Sequence, residues 1–195
     1  MDIKKIKEEM ILMGQKTYDM LGLVEKGFME HKLEYLSGAM EAENSINDME
    51  RALTTGILQL SKTQDKKELS RLQEMVTELE RIGDEGANIV EQIEVKIGEK
   101  LLFSEKAIEQ YNELYSAMKL SLEMMIIFLK ARDAAIRERV IDNGFHVKEL
   151  VERFRKEHAQ RMLSEECNPH AGNIFCDMLD FVGNIARHCS NVVKA

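Results

Sequence analysis

The residues whose types and spacing could do chemistry begin with Glu80, Asp84 and Asn88. A spacing of four sets them one turn apart on one face of a helix. Leu79, Ile82 and Ile89 take a neighbouring face, toward a core. A second acid and amide, Glu43 and Asn47, have the same spacing and flank Ile46. If their helices pack antiparallel, three carboxylates and one amide oxygen form a single patch. Oxygen donors of this kind suit hard or borderline cations, with water completing the shell. Without a cation, acids packed together repel. Glu43, Asn47, Glu80 and Asp84 are therefore the candidate metal ligands. Solvated surface charge is the competing explanation, because a chain with 32% charged residues holds many acids four apart. Arg81 stands beside the acids. It could neutralise them or bind phosphate, or be a surface ion-pair partner of small energetic value.

The elements that must carry these residues are helices. One proline in 195 residues favours long ones. Ile6, Met10, Met13, Met20, Val24 and Phe28 form a first helical seam, with Asp2 as its cap. The pattern breaks at Glu30-His31-Lys32 and resumes from Leu33 to Leu60. Ser61 to Asp65 reads as a turn, and a third seam runs from Leu69 to Ile97, with Gly98 at its expected stop. Ser104 caps a fourth helix reaching about Ala131, and a fifth starts near Arg132-Asp133 and ends near Met162. After a loop at residues 163–167, Asn168-Pro169 starts a sixth helix that runs to about Val193. No strand pattern appears. The fold class is all-α, two tandem three-helix bundles divided at 1–99 and 100–195. A weak internal repeat supports the division: His31-Lys32 aligns with Arg132-Asp133, Ile46 with Val147, Met49 with Leu150, and Asn88-Ile89 with Asn191-Val192.

Composition excludes several classes. A formal charge of −8 argues against a nucleic-acid partner and gives no attraction to an anionic membrane. Met1 to Lys5 lacks the apolar core of a secretory signal. The apolar run Met124–Leu129 is too short to span a bilayer. Three cysteines without a CxxC pair predict reduced thiols in the cytoplasm. Cys167, His170, Cys176, His188 and Cys189 have no zinc-site spacing and are read as structural. The thirteen methionines are read as core fillers. No histidine has a glutamate three residues before it, which argues against a di-iron oxidase. No P-loop, nucleophile elbow or zinc-protease motif occurs, so no enzyme is expected.

Leu79-Glu80-Arg81-Ile82-Gly83-Asp84, followed by Asn88-Ile89, resembles the signature of the PhoU family of phosphate-uptake regulators. The segments His158–Met162 and Cys167–Asp177 are similar to PhoU-like domains attached to sodium–phosphate cotransporters. The resemblance implies a cytoplasmic, helical, often dimeric protein that acts with a phosphate transporter and its sensor kinase, restraining uptake and signalling when phosphate is plentiful. It implies iron or zinc on acid-xxx-Asp motifs, here Glu80 and Asp84 with Glu43. Asn47 stands where an aspartate is usual, which keeps an oxygen and removes a charge. In the second half Gly144 and Lys148 replace the acids of the fifth helix, and Gly183, Asn184 and Arg187 replace the glutamate, arginine and aspartate of the signature. At most one metal site is therefore expected, in the first half. A structural helical adaptor is the alternative; it accounts for the helices and charges but not for the match over Leu79–Asp84.

Overall fold

The computed structural model describes residues 1–62, 64–164 and 168–195. It contains six helices: α1 Ile3–Glu30, α2 Leu33–Gln59, α3 Lys66–Gly98, α4 Glu105–Ala131, α5 Ala134–Leu163 and α6 Pro169–Lys194. No strand occurs among the described residues.

Short polar side chains start these helices by accepting otherwise unpaired amide hydrogens. Asp2 accepts from the Lys5 amide, Ser104 from Ala107, and Asn168 from His170 and Ala171, with Pro169 in the first turn. Asp65 and Asp133 do the same for α3 and α5. The internal repeat is visible in the backbone. α1 and α4 both end on a left-handed residue, His31 at φ 54° and Arg132 at φ 53°. α3 stops at Gly98 as expected, but Gly98 itself stays helical and the left-handed residue that closes the end is Lys100. The Leu101 amide reaches back to the Lys96 carbonyl at 2.9 Å, which closes the helix end without help from a glycine. The expected turn at residues 61–65 and loop at 163–167 are only partly covered, since Thr63 and residues 165–167 lie outside the described residues.

Four helices form a ring in the order α1, α3, α6, α4. α2 lies against α1 and α3 on one side, and α5 against α4 and α6 on the other. α2 and α5 therefore touch only their own half, while the two halves meet along α1–α4 and α3–α6. One continuous core runs through both halves, from Met10, Met13 and Leu21 to Leu114, Met125, Phe175 and Met178. Most of the methionines fill it, as the sequence suggests.

Polar contacts tie the ring shut. Across α1–α4, the Tyr115 hydroxyl donates to the Leu21 carbonyl at 2.7 Å, Lys119 pairs with Glu25 at 2.7 Å, and the Tyr18 hydroxyl donates to Glu123 at 2.7 Å. Across α3–α6, Glu78 accepts from Asn191 at 2.8 Å and pairs with His188 Nδ1 at 2.8 Å.

Candidate metal centre

α2 and α3 are consecutive and run antiparallel, and two contacts fix their register. The Gln73 amide donates to the Thr54 hydroxyl at 2.8 Å. One helix turn or more further along, Gly83 lies against Ile46: a Cβ built on it would stand 3.3 Å from Ile46 Cγ2. The absence of a side chain at Gly83 lets the helices approach most closely amid the candidate ligands. In this register Glu50, on the Thr54 side of Ile46, comes level with Glu80, while Glu43 lies on the opposite side of Ile46.

The electrostatics agree with this register. Glu80 is half-buried; burial, then the charge of Asp84 and the charge of Glu50, push its pKa up to about 7. A hydrogen bond shared with Asp84 adds to the rise, and Arg81 opposes it. Glu80, Asp84 and Glu50 thus form one acidic cluster. Glu43 is buried and bonded to its own helix, accepting from Asn47 Nδ2 at 2.5 Å. Asn47 Oδ1 is buried and, among the described residues, has no hydrogen-bond partner. Asn88 does not continue the acidic stripe; it bonds to Glu85 on the side facing α6. Arg81 pairs with Glu78 at 2.6 Å.

The site therefore has two parts. Glu80, Asp84 and Glu50 supply crowded carboxylates, and Glu43–Asn47 supplies a buried carboxylate and an unpaired amide oxygen. The sequence spacing missed Glu50, because spacing along one helix carries no information about register between two. Among the described residues, no three His, Cys, Asp or Glu side chains close into a cage. The donor set consists of oxygens: three crowded carboxylates on Glu80, Asp84 and Glu50, the Glu43 carboxylate, and the unpartnered Asn47 amide oxygen. It fits an open cation site completed by water and does not fit a closed cysteine–histidine zinc site.

Burial and crowding of Glu80 together have a measurable consequence. Glu80 carries a raised folded pKa, so the folded state holds its proton more tightly than the unfolded chain does. The stability this gives is fully present below pH 4.5 and is lost as the pH rises toward 7. Glu80→Gln removes that loss. Because solvent screens a half-buried group, the variant is expected to be about 1 kcal/mol more stable than wild type at pH 8 and equal to it near pH 5. Urea melts of metal-free protein at both values check this; a variant less stable than wild type at pH 8 would contradict it.

The cysteines and histidines are not gathered. Cys189 is fully buried, with its thiol pushed up by burial. His188 is engaged by Glu78, and His170 lies at the surface against Glu99 at 2.9 Å. Cys167, part of the same sequence reading, lies outside the described residues.

Six helices in two packed trios, with an acidic cluster where α2 crosses α3, define an all-helical two-repeat protein. The PhoU domain family model matches residues 10–93, which include every candidate ligand. No curated protein matches the sequence. Among solved structures, PhoU from Pseudomonas aeruginosa has a TM-score of 0.91 at 15% identity, over 98% of this chain and 93% of that one. The phosphate transport system regulatory protein PhoU from Streptococcus pneumoniae has a TM-score of 0.86 at 13% identity, over 97% and 90%. A PhoU-like protein from Shewanella oneidensis has a TM-score of 0.69 at 17% identity, over 98% and 95%. The chain is PhoU-like over its whole length in fold, and over residues 10–93 by its family match. Among the described residues, no helix is long and apolar enough to cross a membrane.

Proposed function

We propose that this protein regulates phosphate transport or phosphate signalling by contact with other proteins. The observation that carries the reading is the PhoU domain match over residues 10–93, which falls on the helices bearing the Leu79–Asp84 signature. The near-complete fold likeness to a phosphate transport system regulatory protein supports it. In this reading the chain works in the cytoplasm, as a homodimer, on a phosphate transporter or its sensor kinase, and restrains uptake when phosphate is plentiful. It has no catalytic role. Residues 1–99 and 100–195 act as two repeat units.

In the same reading a metal, iron or zinc, binds in the first unit through Glu80 and Asp84. Asn47 and Glu43 from α2 complete the donor set, and Glu50 adds a carboxylate beside Glu80. A bound cation would offset the repulsion from Asp84 and Glu50, which adds to the effect of burial in raising the Glu80 pKa. The ligands lie on both α2 and α3, so the ion would also hold these two helices together.

The test is recovery of partners. Tagged protein purified from its own cells, grown at high and at low phosphate, is expected to bring down a phosphate transporter or its sensor kinase. Failure to recover either one in both conditions would overturn the regulatory reading and leave a generic helical adaptor.

A further inference from the structure

The second half holds a cavity at the place where the first half holds its acids. It measures about 370 Å³ and lies between α5 and α6. Its walls include Gly144, Lys148, Gly183, Asn184, Arg187 and Lys194. The matching left-handed ends of α1 and α4 align the two halves. In that alignment Gly144 and Lys148 replace Glu43 and Asn47. The match of Asn88-Ile89 to Asn191-Val192 sets α3 against α6 two residues further along, so that Gly183, Asn184 and Arg187 replace Glu80, Arg81 and Asp84, and Lys194 replaces Glu91. Two acid positions have lost their side chains altogether, and two others have changed sign.

The glycines make the space. A Cβ on Gly183 would stand 3.0 Å from Val151 Cγ2, and one on Gly144 would collide with the Ser190 hydroxyl. The cations are not consumed by strong pairing. Lys148 reaches only Glu152 at 3.8 Å, with both side chains exposed. The Arg187 guanidinium contacts Asn184 Oδ1 at 3.3 Å and His188 Nε2 at 3.2 Å, and its charge also reaches Glu85 on α3, a partly buried acid that is not part of the cavity wall. Asp180 is the one acid in the wall, and Arg155 binds it. The remainder of the wall is apolar, from Ile141 and Val151, and Phe145 adds a ring that is 61% exposed.

We propose that this cavity binds a small organic phosphate with a flat apolar body. Arginine, two lysines and side-chain amides are the groups that recognise phosphate oxygens. An exposed aromatic ring beside them offers a stacking face. The volume falls at the lower end of the range for small-molecule sites and exceeds what inorganic phosphate alone fills. The duplicated site has thereby changed from one that gathers cations to one that gathers anions. This chemistry stands independently of the role in phosphate signalling.

Calorimetry with purified full-length protein tests the proposal. The probes are ADP, phenyl phosphate, adenosine and inorganic phosphate. Saturable binding of ADP or phenyl phosphate is expected, and the tighter of the two identifies the apolar body as a nucleoside or a simple ring. Adenosine and inorganic phosphate are expected to bind about tenfold more weakly or worse, because each lacks half of the recognised chemistry. Lys148→Glu/Arg187→Glu, at two exposed positions that do not support the core, should keep its thermal midpoint and lose the binding. Glu80→Ala/Asp84→Ala should keep it. Three results would overturn the proposal: no saturable binding of either organic phosphate at millimolar concentration, equal binding by adenosine or by inorganic phosphate, or binding unchanged in the folded double charge reversal.

Discussion

Glu78→Ala is expected to cost about 3 kcal/mol of stability, the size seen when one member of a buried charged network is removed. Glu78 is only 6% exposed on α3 and joins three partners. It accepts from Arg81 at 2.6 Å and from Asn191 at 2.8 Å, and it pairs with His188 Nδ1 at 2.8 Å. Two of these lie on α6, so the carboxylate bridges the two halves. Truncation leaves a 4% exposed His188 and the Asn191 amide facing a void. For a chain of this length the loss corresponds to a fall of roughly 10 °C in the thermal midpoint. Glu78→Gln keeps acceptor and volume and should recover more than half of it. If alanine lowers the midpoint by less than about 3 °C, the network is not a principal tie between the halves. The same group predicts acid sensitivity. Burial pushes the Glu78 pKa up, but hydrogen bonds from His188 and Asn191 outweigh burial and bring it below its ordinary 4.5. A lowered folded pKa means that this stability is present above 4.5 and is lost as the pH falls through the folded value. Glu78→Gln should therefore flatten the acid limb of the stability curve.

Gly83→Leu is expected to cost about 2–3 kcal/mol by overpacking the α2–α3 contact. The first added carbon would already stand 3.3 Å from Ile46 Cγ2, and both positions are buried. A leucine must push α2 outward, which draws Glu50 away from Glu80. The Glu80 pKa should then move from about 7 toward its ordinary 4.5. Gly83→Ala needs a shift of only a few tenths of an ångström and gains helix propensity, so it should be near neutral. Thermal melts combined with NMR titration of the Glu80 carboxyl read both effects. A leucine variant that melts like wild type, with an unmoved Glu80 titration, would show that this contact does not set the site.

The helices were legible because each depends on local chemistry. Asp2, Ser104 and Asn168-Pro169 announce helix starts by residue type, and the apolar seams give direction and length. Gly98 marked the end of α3, but a glycine signals freedom to adopt a left-handed turn without requiring one, and Lys100 adopts it instead. The site was legible in part. Glu80 and Asp84 follow from spacing on one helix. Glu50 does not, because its place beside Glu80 depends on the register set by Ile46, Gly83, Thr54 and Gln73. Glu78 carried a signal that went unread. It is a charged residue set among the buried seam positions Met75, Leu79 and Ile82, and an acid there needs a partner. His188, one residue before the fully buried Cys189, is that partner.

The two halves differ in charge at matching positions: the first carries Glu43, Glu80 and Asp84 where the second has Gly144, Gly183 and Arg187, so the proposed cation site belongs to the first half alone. Elemental analysis of the purified protein tests this most directly, with wild type beside Glu80→Ala/Asp84→Ala and with Lys148→Glu/Arg187→Glu as the second-half control. Iron, zinc or another divalent metal is expected near one equivalent in wild type and in the control, and absent from the first variant. Adding that metal to stripped wild type at about a hundredfold excess over its dissociation constant should raise stability by about 2.7 kcal/mol. Metal retained in full by Glu80→Ala/Asp84→Ala, or no metal bound by wild type even on addition, would contradict the account.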